Sequence, residues 1–177
     1  VGGVDGDSAG NMIITYSTCV VGTTPELRYG RPTGRLASDC TYHVAKLAAA
    51  DGSTLWTTAL PSEASVGTVR VASDGSIYTA GRVSGNATFG SVTLSVSAAS
   101  GLLLKLDSSG TPVYAKAVAS SIGDMDLSSD GSMIAVIGSL SGGLGSFVAS
   151  LSPATGDVAW QSSMPYLRGV EITDDNA

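Results

Sequence analysis

The chain has 177 residues, 43% of them hydrophobic and only 14% charged, with a formal net charge of −6. That is long enough for a sizeable core and too apolar for disorder, and no apolar run approaches the ~20 residues of a membrane-spanning helix. Nine basic residues in an acidic chain argue against nucleic acid or an anionic surface as partner.

Read in chain order, VDGDSAGNMIITYS places Gly10 at a turn ahead of an apolar strand. Cys19 and Cys40 then stand at the two ends of a polar, strand-poor segment, VGTTPELRYGRPTGRLASD. A disulfide between them would close a long loop and contribute about 3 kcal/mol in the chain-entropy model. Two free buried thiols are the alternative, and a bridge would imply an oxidising compartment. YHVAKLAAADGSTLWTT follows at 42–58, and then TVRVA, the turn SDG and the return strand SIYTAGRV. After a variable loop come LLLKL, the turn DSSG and PVYAKAV. LSSDGSMIAVIGSLSG at 127–142 then rewrites VASDGSIYTAGRVSG at 71–85, and FVASLSPATGDVAWQS follows at 147–162. GVEITDDNA starts the phrase once more, with Asn176 in the glycine's place.

Two phrases therefore interleave. Gly10, Gly75 and Gly131 correspond in the first, and Leu47, Leu106 and Leu151 in the second. In the second phrase Gly52, Gly110 and Gly156 also match, each followed four residues later by Trp56, Tyr114 or Trp160. Lys46 and Lys105 fall at matched positions, so they belong to the repeat. No stretch carries the 3.6-residue periodicity of a helix. Each unit reads as four antiparallel strands, and such repeats are the blades of a β-propeller.

The expected fold is all-β: a single partial β-propeller with blade one at 1–60, blade two at 66–119 and blade three at 122–163. The first strand of a fourth blade is expected within 168–177. Gly2, Gly67 and Gly123 stand just ahead of innermost strands, where blades would crowd the axis. Propellers close with about four to eight blades, so these are expected to be part of a larger propeller. The first residue is Val1 and no leader pattern follows it, so a processed or excised chain is expected, with secretion left open.

LSPATGDVAWQS resembles the tryptophan-docking repeat of PQQ-type propellers, with Thr155, Gly156 and Trp160 on its motif. Asp51, Gly52 and Trp56 match with Asp-Gly for Thr-Gly, and Gly110 with Tyr114 matches more loosely. VDGDSAGNMIITYS resembles the bacterial seven-bladed β-propeller repeat, and GNATFGSVTL is similar to linkers of that group. Together these resemblances cover the chain outside the cysteine segment. They imply blade architecture and, for much of the group, secreted or cell-surface scaffolds. A quinoprotein oxidoreductase would imply a bound quinone, a metal and adjacent cysteines; Cys19 and Cys40 are not adjacent, and no cofactor residues carry over.

Each candidate site has a structural alternative. Asp5, Asp7 and Asn11 approach a calcium loop, but Ala9 replaces a ligand and Tyr16 stands where a Glu is needed, so a hairpin turn is expected. Asp124 and Asp126 could act as an acid–base pair; Asp126 matches Arg70 and Glu171, so a solvated slot near the axis is expected. His43, the one histidine, matches Leu102 and Phe147 and reads as packed or half-exposed. Trp56, Tyr114 and Trp160 could stack on sugars but are expected to wedge between blades. Asn86-Ala87-Thr88 is a glycosylation sequon on an exposed loop.

The b–c and d–a loops should emerge on one face, with Tyr29, Arg31 and Tyr166 as contact anchors. The expected function is a non-enzymatic extracellular or cell-surface interaction scaffold, without cofactor. Its partner would be a protein or glycan at the loop face, or further blades or copies of itself. A carbohydrate-binding propeller, and part of a quinoprotein-like or glycan-cleaving enzyme with its catalytic residues elsewhere, are the alternatives.

Overall fold

A computed structural model describes residues 2–21, 27–28, 31–32, 38–118, 121–140, 145–165 and 167–173, with only the backbone path given at 21, 27–28, 31–32 and 38–39. Among them there is no helix, and three four-stranded antiparallel sheets follow one another along the chain. The first holds β1 (Val4–Gly6), β2 (Met12–Val21), β5 (Ser38–Leu47) and β6 (Thr54–Ala59), in that order. The second holds β7 (Ala64–Val71), β8 (Ile77–Val83), β11 (Ser100–Leu106) and β12 (Pro112–Val118). The third holds β13 (Ser121–Leu127), β14 (Ile134–Ser139), β15 (Ser146–Leu151) and β16 (Val158–Met164). Each is a plain meander, as short strands joined by tight turns should give. Two small hairpins sit in connections between second and third strands: β3 (Leu27–Arg28) with β4 (Arg31–Pro32), and β9 (Asn86–Phe89) with β10 (Val92–Ser95).

The run LLLKL explains how the sheets combine. An unbroken apolar strand is one buried on both faces. Leu102, Leu104 and Leu106 point to one side and pack with Ile13 and Val44 of the first sheet. Leu103 points to the other, with Tyr78 and Ala80, and packs with Met125, Ile134, Val136 and Phe147 of the third. The second sheet is thus sandwiched, and the two cores lie on its two faces. The first strands of consecutive sheets also meet, β1 against β7 and β7 against β13.

Three local expectations are corrected. Gly67 and Gly123 do not precede the first strands but lie within them, at register shifts between Val66 and Thr68 and between Ile122 and Asp124. A Cβ on Gly67 would meet nothing within 4 Å. The crowding falls on the facing strand, where a side chain on Gly81 or Gly138 would run into the carbonyl of Ser65 or Ser121. The reason is the bulge, which takes one residue out of the ladder and bends the strand there. Second, the strands run past the two cysteines at both ends of the segment read as strand-poor, to Val21 and from Ser38. Cys19 and Cys40 sit inside ten-residue strands and face each other in register, because the Thr, Val and Tyr around them favour extended chain. Third, no strand is assigned at 168–172. Val170 and Ile172 donate their amides to the Asp124 and Asp126 carboxylates of the third sheet, not to a strand ladder.

Candidate functional site

The turns joining third to fourth strands form the seams between sheets. Their glycines have positive φ, +83° at Gly110 and +73° at Gly156, which L side chains adopt at a cost. Glycine is needed here for a second reason. A Cβ on Gly110 would lie 2.7 Å from Cε3 of Trp56, in the preceding sheet. Trp56 Nε1 donates to the Ser108 carbonyl at 3.3 Å, and Thr58 Oγ1 donates to the Gly110 carbonyl at 2.7 Å. The next seam repeats the design. A Cβ on Gly156 would lie 2.7 Å from Cε2 of Tyr114, whose hydroxyl donates to the Pro153 carbonyl at 3.1 Å. Lys116, two residues on from Tyr114 as Thr58 is from Trp56, pairs with Asp157 at 2.7 Å. Burial, with the nearby Tyr78 and Asp157, pushes the Tyr114 hydroxyl above the usual tyrosine range.

Trp160 holds the same place in the third sheet, but it is 52% exposed, because no described turn follows to receive it. Lys105 also contributes to the second seam, donating to the Pro153 carbonyl with its ammonium 5.1 Å from the Tyr78 ring centroid. Its counterpart Lys46 turns instead to Asp7, at 2.7 Å.

The first strands are tied by a second set of contacts. Asp5 Oδ2 accepts from the Val71 amide at 2.7 Å. Arg70 Nε donates to Asp126 Oδ1 at 2.9 Å, and Asp126 Oδ2 accepts from the Ile172 amide at 2.7 Å. Asp126 therefore bridges neighbouring elements, where the sequence reading expected a solvated slot. Burial opposes its ionisation, yet the Ile172 amide and Arg70 outweigh that and hold the carboxyl below its usual range. Asp124 accepts the Val170 amide on Oδ2 at 3.3 Å and the Met125 amide on Oδ1 at 2.9 Å. The linking role of Asp5 was missed, since a lone Asp in a turn-rich phrase gives no signal of a partner more than sixty residues away.

The Asp5–Asn11 turn is held by its own Asn11 and by Lys46 of β5. Asp7 Oδ1 accepts from the Ala9 and Asn11 amides, and Oδ2 is engaged by Lys46 and Asn11. Lys46 and Asn11 keep this carboxyl well below the usual range, and they occupy the oxygens a cation would need. Among the described residues no three His, Cys, Asp or Glu side chains gather as a metal set.

The opposite edge of the sheets is variable. Here Cys19 and Cys40 form a disulfide across β2 and β5. Beside it Tyr16 and His43 stack, ring centroids 4.7 Å apart and 15° from parallel. The same pairing positions hold Gly81 with Leu102 and Gly138 with Phe147 in the other sheets. His43 Nε2 bonds the Thr18 hydroxyl at 2.9 Å, while Nδ1 is buried with no hydrogen-bond partner among the described residues. A cleft of about 270 Å³ opens between the first two sheets, lined by Gly2, Tyr16, Ser17, Tyr42 and Val66. Asn86 and Thr88 are exposed on β9, while Ala87 and Phe89 between and beyond them are buried against the core. Tyr29, Tyr166 and the Arg31 side chain, the anticipated contact anchors, lie outside the described residues.

No protein-family model matches this sequence, and no curated protein compared with it is detectably similar. The arrangement itself is that of an all-β, disulfide-bonded chain of repeated four-stranded sheets. Its most regular chemistry lies in the seams.

Proposed function

We propose that the three sheets are consecutive blades of a β-propeller and that the chain is a non-enzymatic interaction scaffold outside the cell or at its surface. The observation that carries this reading is the seam made twice, Trp56 on Gly110 and Tyr114 on Gly156, by residues at matching places in the repeat. One edge of the stack is constant, built from tight turns that each carry a glycine of positive φ, Gly10, Gly52, Gly75, Gly110, Gly131 and Gly156. The other edge varies: it carries the Cys19–Cys40 disulfide in the first sheet and the β9–β10 hairpin in the second. A constant edge that holds the blades and a variable edge that faces outward divide structure from recognition. The Cys19–Cys40 disulfide supports an oxidising compartment, and Asn86 is available there for a glycan.

The test replaces residues 22–37 by a short Gly-Ser linker and measures binding to extracellular-matrix proteins and a glycan array, beside thermal unfolding. The expected result is unfolding within a few degrees of the parent and loss of binding. Loss of folding, binding that survives the replacement, or a parent chain that binds nothing would overturn the reading. A glycan-binding form of it draws on the cleft, where Tyr42 and Tyr16 stand beside Ser17. That form requires Tyr42→Ala to abolish glycan-array signal without a change in fold.

A further inference from the structure

The disulfide stands on a part of the first sheet that has no counterpart in the other two. The β8–β11 ladder ends at the pair Val83–Ser100, and the β14–β15 ladder at Ser139–Ser146. Val83 and Ser139 are each eight residues past the turn glycine, Gly75 or Gly131, and Thr18 is eight past Gly10. The matching pair in the first sheet is therefore Thr18–Thr41, yet β2 and β5 run on through Cys19–Cys40, Val20–Asp39 and Val21–Ser38. On the open side of β5 its neighbour has already stopped. β6 pairs no further than Ala59 with His43, and the last bond runs from the Leu60 amide to the Tyr42 carbonyl. These three pairs form a ribbon that rises past the level at which the second sheet ends.

The bridge is open to solvent there. Val44 and Tyr42 pack into the core shared with the second sheet. Side chains alternate along a strand, so Cys40 points to that same side, one step beyond the core. Cys19 is exposed and Cys40 half-buried. Backbone groups alternate as well. Thr15 gives its amide to Gly3, and Tyr42 accepts from Leu60, so both turn their polar groups away from the β2–β5 ladder. Cys19 and Cys40 share that phase, and their Cα atoms lie 4.0 Å apart, the close spacing of a pair that exchanges no backbone hydrogen bonds. At this step the sulfur–sulfur bond stands in for backbone bonds.

We propose that Cys19–Cys40 is a redox latch, a thiol–disulfide exchange site for a dithiol reductant that frees the ribbon without unfolding the sheets. A thiolate of the reductant attacks Sγ of Cys19, in the more exposed residue. A mixed disulfide forms, the Cys19–Cys40 bond breaks, and Cys40 leaves as a thiolate that takes up a proton. The second thiol of the reductant then attacks the reductant's own sulfur in the mixed disulfide and releases Cys19 as a thiol. Two electrons and two protons pass from the dithiol to the bridge. Exposed disulfides are the labile class. A two-stranded ribbon is marginal in water, so the pairs beyond Thr18–Thr41 part once the bridge is gone. The pairs from Met12 to Thr18 stay, because the sheet holds them. Release reshapes the variable edge, and its consequence for binding rests on the scaffold reading above.

Thioredoxin kept reduced by its reductase and NADPH is the probe, added to the native full chain without denaturant. Thiol alkylation with mass analysis reads the bridge, and amide hydrogen exchange reads the strands. The expected result is complete reduction while the amides of Leu103 and Leu104, paired on both sides in β11, stay protected. The Val20 amide should then exchange about 10-fold faster or more, with Ile14 and Tyr16 unchanged. Cys19→Ser combined with Cys40→Ser should give the same pattern with no reductant present. Reduction that proceeds only as Leu103 and Leu104 exchange, an unchanged Val20 amide, or lost protection at Ile14 and Tyr16 would overturn the latch. A ligand that the oxidised chain takes from matrix proteins or the glycan array should bind the reduced chain about 10-fold more weakly or worse. Equal binding would overturn the regulatory role. A parent chain that binds nothing overturns the scaffold reading, and exchange at Val20 then decides the latch.

Discussion

The ring of Trp56 fills the space that a side chain on Gly110 would need, 54 positions further along the chain and in the next sheet. Gly110→Ala therefore carries two costs. The left-handed φ costs an alanine about 1–2 kcal/mol, and the displaced Trp56 and Thr58 lose hydrogen bonds worth about 1 kcal/mol each. Gly131→Ala is the control, because Gly131 has a φ of +69° and nothing within 4 Å of its Cβ position. Urea denaturation should show G110A less stable than G131A by about 1–3 kcal/mol. Equal losses would mean that the seam contributes nothing beyond its turn.

The disulfide closes 21 positions of chain between two paired strands. Reduction should lower unfolding free energy by about 3 kcal/mol in the chain-entropy model. The strand signal in circular dichroism should persist, since the β2–β5 ladder runs from Met12 to Val21 and is not held by the bridge alone. Collapse of that signal on reduction, before any denaturant is added, would contradict this.

Asp126 anchors the segment 167–173 to the third sheet. Asp126→Ala should leave Arg70 without its carboxylate and release the Ile172 amide. Exchange at Ile172 should then accelerate by about 10–100-fold, which corresponds to the roughly 1.5–3 kcal/mol of a hydrogen bond to a charged group. Unchanged exchange would mean that other contacts hold the segment.

Acid should destabilise the chain through its turns. The Ser128 hydroxyl and the Ser132 amide hold the Asp130 carboxyl down to about 2, and bonds to Ser76 and to Ser109 and Thr111 lower Asp74 and Asp107. A carboxyl depressed in the folded state gives stability that is complete above its unfolded value of 3.8 and is lost as pH falls through the folded one. The urea midpoint should therefore drop between about pH 4 and pH 2, and Asp130→Asn should flatten that drop.

Alkali should act at the second seam with the opposite sign. Tyr114 resists ionisation in the folded state because it is buried, so the unfolded chain loses that proton first, near pH 10. Stability should fall as pH rises above 10. Tyr114→Phe loses the bond to Pro153, about 1 kcal/mol at neutral pH, but has no phenol to ionise. The gap between variant and parent should narrow above pH 10; a constant gap would show that the hydroxyl is not shielded.

Local chemistry was readable in the order of the residues. Asp-Gly and Thr-Gly mark turns because glycine accepts a left-handed φ and a neighbouring side-chain oxygen caps the turn amides. LLLKL marks a strand buried on both sides, because only such a strand has no polar face. The recurrence of these phrases sets the strand count, and the spacing of Trp56 and Tyr114 after their glycines marks the two rings that lie over Gly110 and Gly156. What the tertiary structure alone decided is which distant groups meet. Nothing in the order of residues says that Asp5 takes the amide of Val71, that Asp126 joins Arg70 to Ile172, or that crowding falls on Gly81 and Gly138 instead of on the bulged Gly67 and Gly123. Periodicity is a property of one strand, but a seam is a property of two surfaces. Its partners are chosen only when the packing of apolar faces brings one sheet's turn under the next sheet's ring.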